Sequence, residues 1–214
     1  MKIQHHTDIN KIYDFFFFFF RTKRMKEFML ICQPTNQTHI LDVGGTAYNW
    51  TIIDSESKIT LLNLSVPSNS NAIPDNFSYT KGDGTNLQYQ DNSFDICFSN
   101  SVIEHLGTYE KQILFAKEVQ RVAKKIWIQT PAKAFFFEPH WLAPFIHYFP
   151  MRIQRKMAKH FTLRGRLSDQ KYVDNLLAEL RLLTFKEMKE LFPDCEIRIE
   201  RFLGMPKSYI AIRQ

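Results

Sequence analysis

Two hundred and fourteen residues, 44% apolar and 23% charged, make a globular chain of one domain's size and exclude a disordered or collagen-like protein. No apolar run approaches the ~18 residues of a membrane span, and the start carries no apolar leader, so neither an integral membrane protein nor a secreted one is expected. The net charge of +6 is local: ten of the 28 bases lie in two acid-free segments, leaving 18 bases against 22 acids elsewhere. Those segments are 21–26 (Arg21, Lys23, Arg24, Lys26) and 152–166 (Arg152, Arg155, Lys156, Lys159, Arg164, Arg166). Such patches attract phosphates, nucleic acid or anionic lipid, or are solvated helix faces.

Residues 1–38 form a helical, aromatic segment with six consecutive phenylalanines at 15–20. Successive helical residues turn by about 100°, so the six rings point all round the axis and one core-facing stripe cannot bury them. The remainder needs cover from elsewhere in the chain, a second subunit or a lipid surface. The bases that follow suit an interfacial anchor. Next come near-continuous apolar runs at 39–43, 59–64, 77–80, 94–98 and 126–129, the pattern of parallel strands buried on both faces. The link 65–76, with Pro67 and Pro74, reads as a loop. Ile113, Ala116, Val119 and Ala123 step at helical spacing and predict a helix over 109–125.

After Pro131 an insertion rich in Phe, Trp, Pro and His runs to 183. Thr184 and Glu187 make a capping-box start for a short helix that ends by Pro193. Two alternating runs, 195–200 and 208–212, flank Gly204 and Pro206 and predict an antiparallel hairpin. The three cysteines, Cys32, Cys97 and Cys195, form no Cys-x-x-Cys pair, which argues against a disulfide framework and a structural zinc site. The expected fold is a single α/β domain over 1–214, its core at 39–131 and 184–214, with 132–183 as a lid.

Parallel sheets present ligands at their strands' carboxyl ends. The first run ends Asp42-Val43-Gly44-Gly45-Thr46, where adjacent glycines permit a sharp turn and a close backbone approach. The pattern is not Gly-x-Gly-x-x-Gly, and Tyr48, Asn49 and Trp50 stand where a phosphate-binding helix would begin, so a cofactor without phosphates fits better. Asn63 ends the second run 21 residues beyond Asp42, close to the ~20 expected of a ribose-binding side chain. Gly82-Asp83-Gly84 follows, then Ser93-Phe94-Asp95 and Ser99-Asn100-Ser101-Val102-Ile103-Glu104-His105-Leu106.

With those motifs at those spacings, about residues 39–130 resemble the class I S-adenosylmethionine-dependent methyltransferases of the small bacterial type. The resemblance implies a Rossmann-like, seven-stranded, mostly parallel sheet with an antiparallel terminal strand and helices on both faces. It implies S-adenosylmethionine as cofactor, with Asp42 near its cationic methionyl end and Gly44 and Gly45 lining it. Asn63 would hold the ribose hydroxyls, Asp83, beside Gly84, the adenine amino group, and Ser99 and Asn100 the methionine moiety by backbone contacts. The sequence departs from the family at Asn63, where an acid is usual, and at Gly44-Gly45-Thr46. An amide accepts from one hydroxyl and must donate to the other, so Asn63 predicts weaker cofactor binding, and Asn63→Asp stronger.

Some members use an acid-x-x-acid-His cluster for a metal, but Ser101 occupies the first acid position. Glu104 and His105, adjacent on a helix, do not suffice, so no metal is expected and the pair is assigned to packing and capping. For catalysis His140 is the first candidate base and His105 the second, each against a structural role. The expected activity is methylation, O-directed, of a small-molecule or lipid- or saccharide-linked acceptor by in-line transfer. The alternative is a catalytically degenerate binding protein of the same fold. A nicotinamide reductase is disfavoured by the glycine pattern, and nucleic acid is not expected. A cytoplasmic location is expected, with peripheral membrane contact and a homodimer left open.

Overall fold

The computed structural model describes residues 4–53, 55–66 and 74–214, with side chains from residue 18 onward save that of residue 163. One sheet organises the chain. Its strands are β1 (His39–Val43), β2 (Lys58–Asn63), β3 (Phe77–Lys81), β4 (Phe94–Asn100) and β5 (Ala123–Pro131), all parallel. A two-stranded ribbon in the insertion supplies β6 (Phe137–Glu138) and β7 (Ala143–Pro144). The terminal hairpin, β8 (Glu196–Phe202) and β9 (Met205–Arg213), joins the main sheet through β9, which runs antiparallel to β5. The order is β3-β2-β1-β4-β5-β9-β8. It is the expected seven-stranded, mostly parallel sheet with one reversed strand.

The helices explain why the strands are apolar on both faces. On one side Ile40, Ile59, Leu61, Ile96, Phe98 and Trp127 pack against Met25, Phe28 and Cys32 of α1 (Gln4–Cys32) and Trp50 of α2 (Ala47–Trp50). The Phe28 ring meets Trp50, Phe98 and Trp127 edge-on at 5.8, 5.2 and 5.7 Å. On the other, Leu41, Val43, Cys97, Ile126 and Ile128 pack against Phe115, Ala116 and Val119 of α3 (Tyr109–Val122). The insertion carries α4 (Met151–Phe161), α5 (Leu163–Leu167) and α6 (Gln170–Glu179) and has its own core around Trp141, Ile146, Ala158, Val173 and Leu177. Then α7 (Phe185–Leu191) opens on the expected capping box between Thr184 and Glu187.

Three expectations change. The helix predicted over 109–125 stops at Val122, and Ala123 already pairs with Phe94. Arg213 is the reason: its guanidinium donates to the carbonyls of Gln120, Ala123 and Lys124, which closes the helix end without a loop. Second, a single helical turn does follow the glycines, over Ala47–Trp50. Third, the 21–26 segment is not an open basic patch. Arg24 is buried and Arg21 half-buried, its guanidinium 5.1 Å from the Tyr48 ring centre, while Lys23 and Lys26 remain exposed. Of the six-phenylalanine run, which lies on α1, Phe18 and Phe19 are exposed and Phe20 is buried beside Phe202; the rings of Phe15, Phe16 and Phe17 lie outside the described residues. Cys32 and Cys97 are buried and all three thiols are free.

Candidate functional site

A cleft of about 270 Å³ opens at the carboxyl ends of β1 and β2, lined by Gly44, Asn63, Asp83, Gly84, Val102, Phe115 and their neighbours. Glycine is required at its rim. Gly44 has φ +75°, and a Cβ there would lie 2.6 Å from Val102. A Cβ on Gly84 would lie 2.8 Å from Val43.

Asp42 lies beneath this loop. It is fully buried, one carboxylate oxygen accepts from the Trp50 indole N–H at 2.8 Å, and the other has no partner. Burial, only partly opposed by that hydrogen bond, pushes its pKa up to about 7. A Cβ on Gly45 would fall 1.8 Å from the Asp42 carboxylate, so the loop passes directly over it. The sequence places Asp42 near the cofactor's methionyl end with Gly44 and Gly45 lining it; in the structure Gly44 lines the cleft, and Asp42 and Gly45 are buried beside it.

Asn63 lines the cleft, and the structure supplies a reason for its amide. Its Nδ2 donates to the Gly45 carbonyl at 2.8 Å, a bond a carboxylate could not make. Asp83 divides its work: Oδ1 accepts from the Thr85 amide and hydroxyl, both at 2.8 Å, leaving Oδ2 toward solvent. Ser99 is fully buried, its hydroxyl donating to the Val43 carbonyl at 2.9 Å and tying β4 to β1. Asn100 accepts from Arg24 at 2.7 Å. That guanidinium also faces Glu200 at 3.5 Å, and Lys207 reaches the other Glu200 oxygen at 2.9 Å. The sequence reading counted Arg24 as a surface base and gave Glu200 and Lys207 no role.

Beyond β4 the backbone turns at Ser101 (φ 59°) into a 3-10 turn, Ile103–His105, beside the cleft residues Val102 and Leu106. Glu104 points inward and is fully buried; Oε2 accepts from the Thr130 hydroxyl at 3.0 Å, and Oε1 has no partner. Burial raises its pKa to about 7. His140 comes from the insertion to meet His105, their Nε2 atoms 3.0 Å apart. Behind it, His140 Nδ1 lies 2.6 Å from Glu138 Oε1, and the other Glu138 oxygen accepts from the Trp141 amide at 2.7 Å. Burial, with the charge of His140 acting the same way, lowers His105 to about 4. For His140 burial also acts downward, but the hydrogen bond and charge of Glu138 and the charge of Glu104 outweigh it and raise the pKa. With His140 protonated, Nδ1–H donates to Glu138 and Nε2–H to His105.

Both candidate catalytic histidines thus meet in one cluster, although 35 residues separate them. One ligand atom each of Glu104, His105 and His140 lies within 4.8 Å of the others. The assignment of Glu104 and His105 to packing left out this third donor. Glu138 was also missed; the available signal was its place two residues before His140, at the end of β6 where the chain turns.

Residues 41–126 match a family model described as a methyltransferase domain. No curated protein matches the chain. Among solved structures, one from Rhodobacter sphaeroides described as a zinc-dependent alcohol dehydrogenase superposes with TM-score 0.56 at 11% identity, covering 83% of this chain and 84% of its own. The 1,6-didemethyltoxoflavin-N1-methyltransferase of Burkholderia thailandensis, solved with bound 1,6-didemethyltoxoflavin and S-adenosylhomocysteine, gives 0.55 at 11%, covering 88% and 74%. A methyltransferase dependent on S-adenosylmethionine from Aquifex aeolicus gives 0.51 at 16%, covering 90% and 88%. At such identities these structures share the fold.

Proposed function

We propose that this chain is a class I, S-adenosylmethionine-dependent methyltransferase and that it methylates an oxygen of a small-molecule or lipid- or saccharide-linked acceptor held under the 132–183 insertion; the family-model match over residues 41–126 supports the first part. The observation that carries this reading is the His105–His140–Glu138 cluster beside the cleft. The residues of the cleft suit the cofactor: a floor of glycines that tolerates no Cβ, a free Asp83 oxygen and the Asn63 carbonyl as acceptors for hydroxyl and amino groups. When bound, the cofactor supplies an activated methyl group.

Gly44, Asn63, Asp83 and Gly84 would hold the cofactor, while Asp42, Ser99 and Asn100 fix the strand ends beneath them. Methyl transfer is an in-line displacement, so the protein's work is to align the acceptor oxygen and exclude water. His105 and His140 are the groups placed to orient and polarise that oxygen, and Glu138 holds the His140 ring. His140→Ala is expected to lower kcat by ~10²–10⁴ while cofactor affinity holds. A loss of thermal stability alone would reduce His140 to packing. Absence of S-adenosylmethionine binding by calorimetry would favour the degenerate binding protein.

A further inference from the structure

The His105–His140 contact has a second chemical reading. Two imidazole Nε2 atoms 3.0 Å apart share one proton, or they share a metal ion. At the usual metal–nitrogen distance of ~2.0–2.1 Å, two ligands on one ion stand about 2.9 Å apart in octahedral geometry and about 3.3 Å in tetrahedral. The observed separation falls between these values.

We propose that Glu104, His105 and His140 bind one divalent first-row transition ion, with further coordination positions left for an oxygen donor of the methyl acceptor. The Glu104 Oε1 atom is a buried acceptor with no hydrogen bond, in a carboxylate whose other oxygen is fixed by Thr130. A buried carboxylate oxygen without a partner is costly, and an ion would satisfy it. The surroundings of His140 agree. A histidine that ligates a metal usually gives its other ring N–H to a carboxylate, which fixes the tautomer, and Glu138 stands 2.6 Å from Nδ1 for that purpose.

Charge points the same way. Glu104 and Glu138 are both fully buried. Among the described residues no arginine or lysine donates a hydrogen bond to either, Arg24 being engaged with Asn100 and Glu200. Two carboxylates balance one divalent ion. Two imidazoles and one carboxylate suit zinc, iron or manganese in the divalent state, whereas magnesium and calcium prefer oxygen alone. Glu104 is sealed in, but His105 and His140 are only half-buried, so the ion can be reached from solvent. Three protein ligands with open positions is the arrangement of catalytic rather than structural metal sites. This inference deepens the methyl-transfer reading and rests on it only for what fills the open positions.

The test uses the full chain, stripped with chelator and titrated with Co²⁺, followed by visible absorption, and with Zn²⁺ by calorimetry. One equivalent of each is expected to bind. Glu104→Gln and His140→Ala should each weaken binding by at least 100-fold, and Glu138→Gln by about 10–100-fold. His147→Ala and the double variant His5→Ala/His6→Ala should bind as the parent does. If His140→Ala fails to fold, the near-isosteric Glu104→Gln decides alone. Failure to bind, binding that persists in Glu104→Gln, or binding lost with His5 and His6 overturns the proposal. S-adenosylmethionine calorimetry on the same stripped protein reports separately on the methyl-transfer reading.

Discussion

At residue scale, single atoms decide what a family pattern leaves open. From sequence, Asn63 was a weakened copy of a ribose-binding acid, and Asn63→Asp was expected to strengthen binding. In the structure its amide holds the Gly45 carbonyl, so an aspartate would lose that bond and set two oxygens against each other. Asn63→Asp is now expected to weaken S-adenosylmethionine binding by about 1–3 kcal/mol, read by calorimetry; tighter binding would return Asn63 to its sequence-based role. Asp42 gives a pH dependence. Its folded pKa of about 7 lies above the ordinary carboxylate value. The protonated form is therefore favoured in the folded state, and the stability it gives, complete below about pH 4, is lost as pH rises through 7, at up to about 1.4 kcal/mol per unit. Asp42→Asn keeps an acceptor for Trp50 and should flatten the change in melting temperature between pH 5 and 8. An unchanged profile would place the titration elsewhere.

At element scale, the ends of strands and helices are fixed by residues far along the chain. Arg213 of β9 terminates α3, and α1 is tied to the β8–β9 hairpin through Arg24, Glu200 and Lys207. This buried group sets one carboxylate between two cations, so its members are not equivalent. Removing Glu200 leaves Arg24 and Lys207 buried without their shared counter-ion, whereas Arg24→Met leaves the Glu200–Lys207 pair intact. Glu200→Gln is expected to cost about 3–5 kcal/mol in denaturant unfolding, and Arg24→Met distinctly less. The reverse order would mean that Arg24, through Asn100, is the principal tie.

At the scale of the molecule, the insertion brings His140 and Glu138 to a cleft built by the sheet, so cofactor side and acceptor side come from different parts of the chain. Among the described residues no helix is long and apolar enough to cross a membrane. Exposed apolar surface nevertheless remains on α1 at Phe18 and Phe19, and on the insertion at Phe149, Met151, Ile153 and Phe161, in a segment that also carries Arg152, Lys156 and Arg164. If the acceptor is lipid-linked, the protein should co-sediment with anionic liposomes, release with salt, and lose binding in Phe18→Ser/Phe19→Ser. Phe20→Ser is unsuitable because it opens the core. Protein left in the supernatant at low salt would end the lipid-linked version.

The strands, the glycine loop, the capped start of α7 and the terminal hairpin were legible because each rests on local rules: alternation or continuity of apolar residues, steric room at glycine, a side chain reaching its own backbone. The families of residues around the cleft were legible for the same reason, as spacings along consecutive strands. Tertiary structure alone decided that His105 meets His140, that Arg24 is buried, and where α3 stops. Each of these depends on contacts between groups 35 to 176 residues apart, and local patterns carry no trace of which distant partner will satisfy a buried charge or an open helix end.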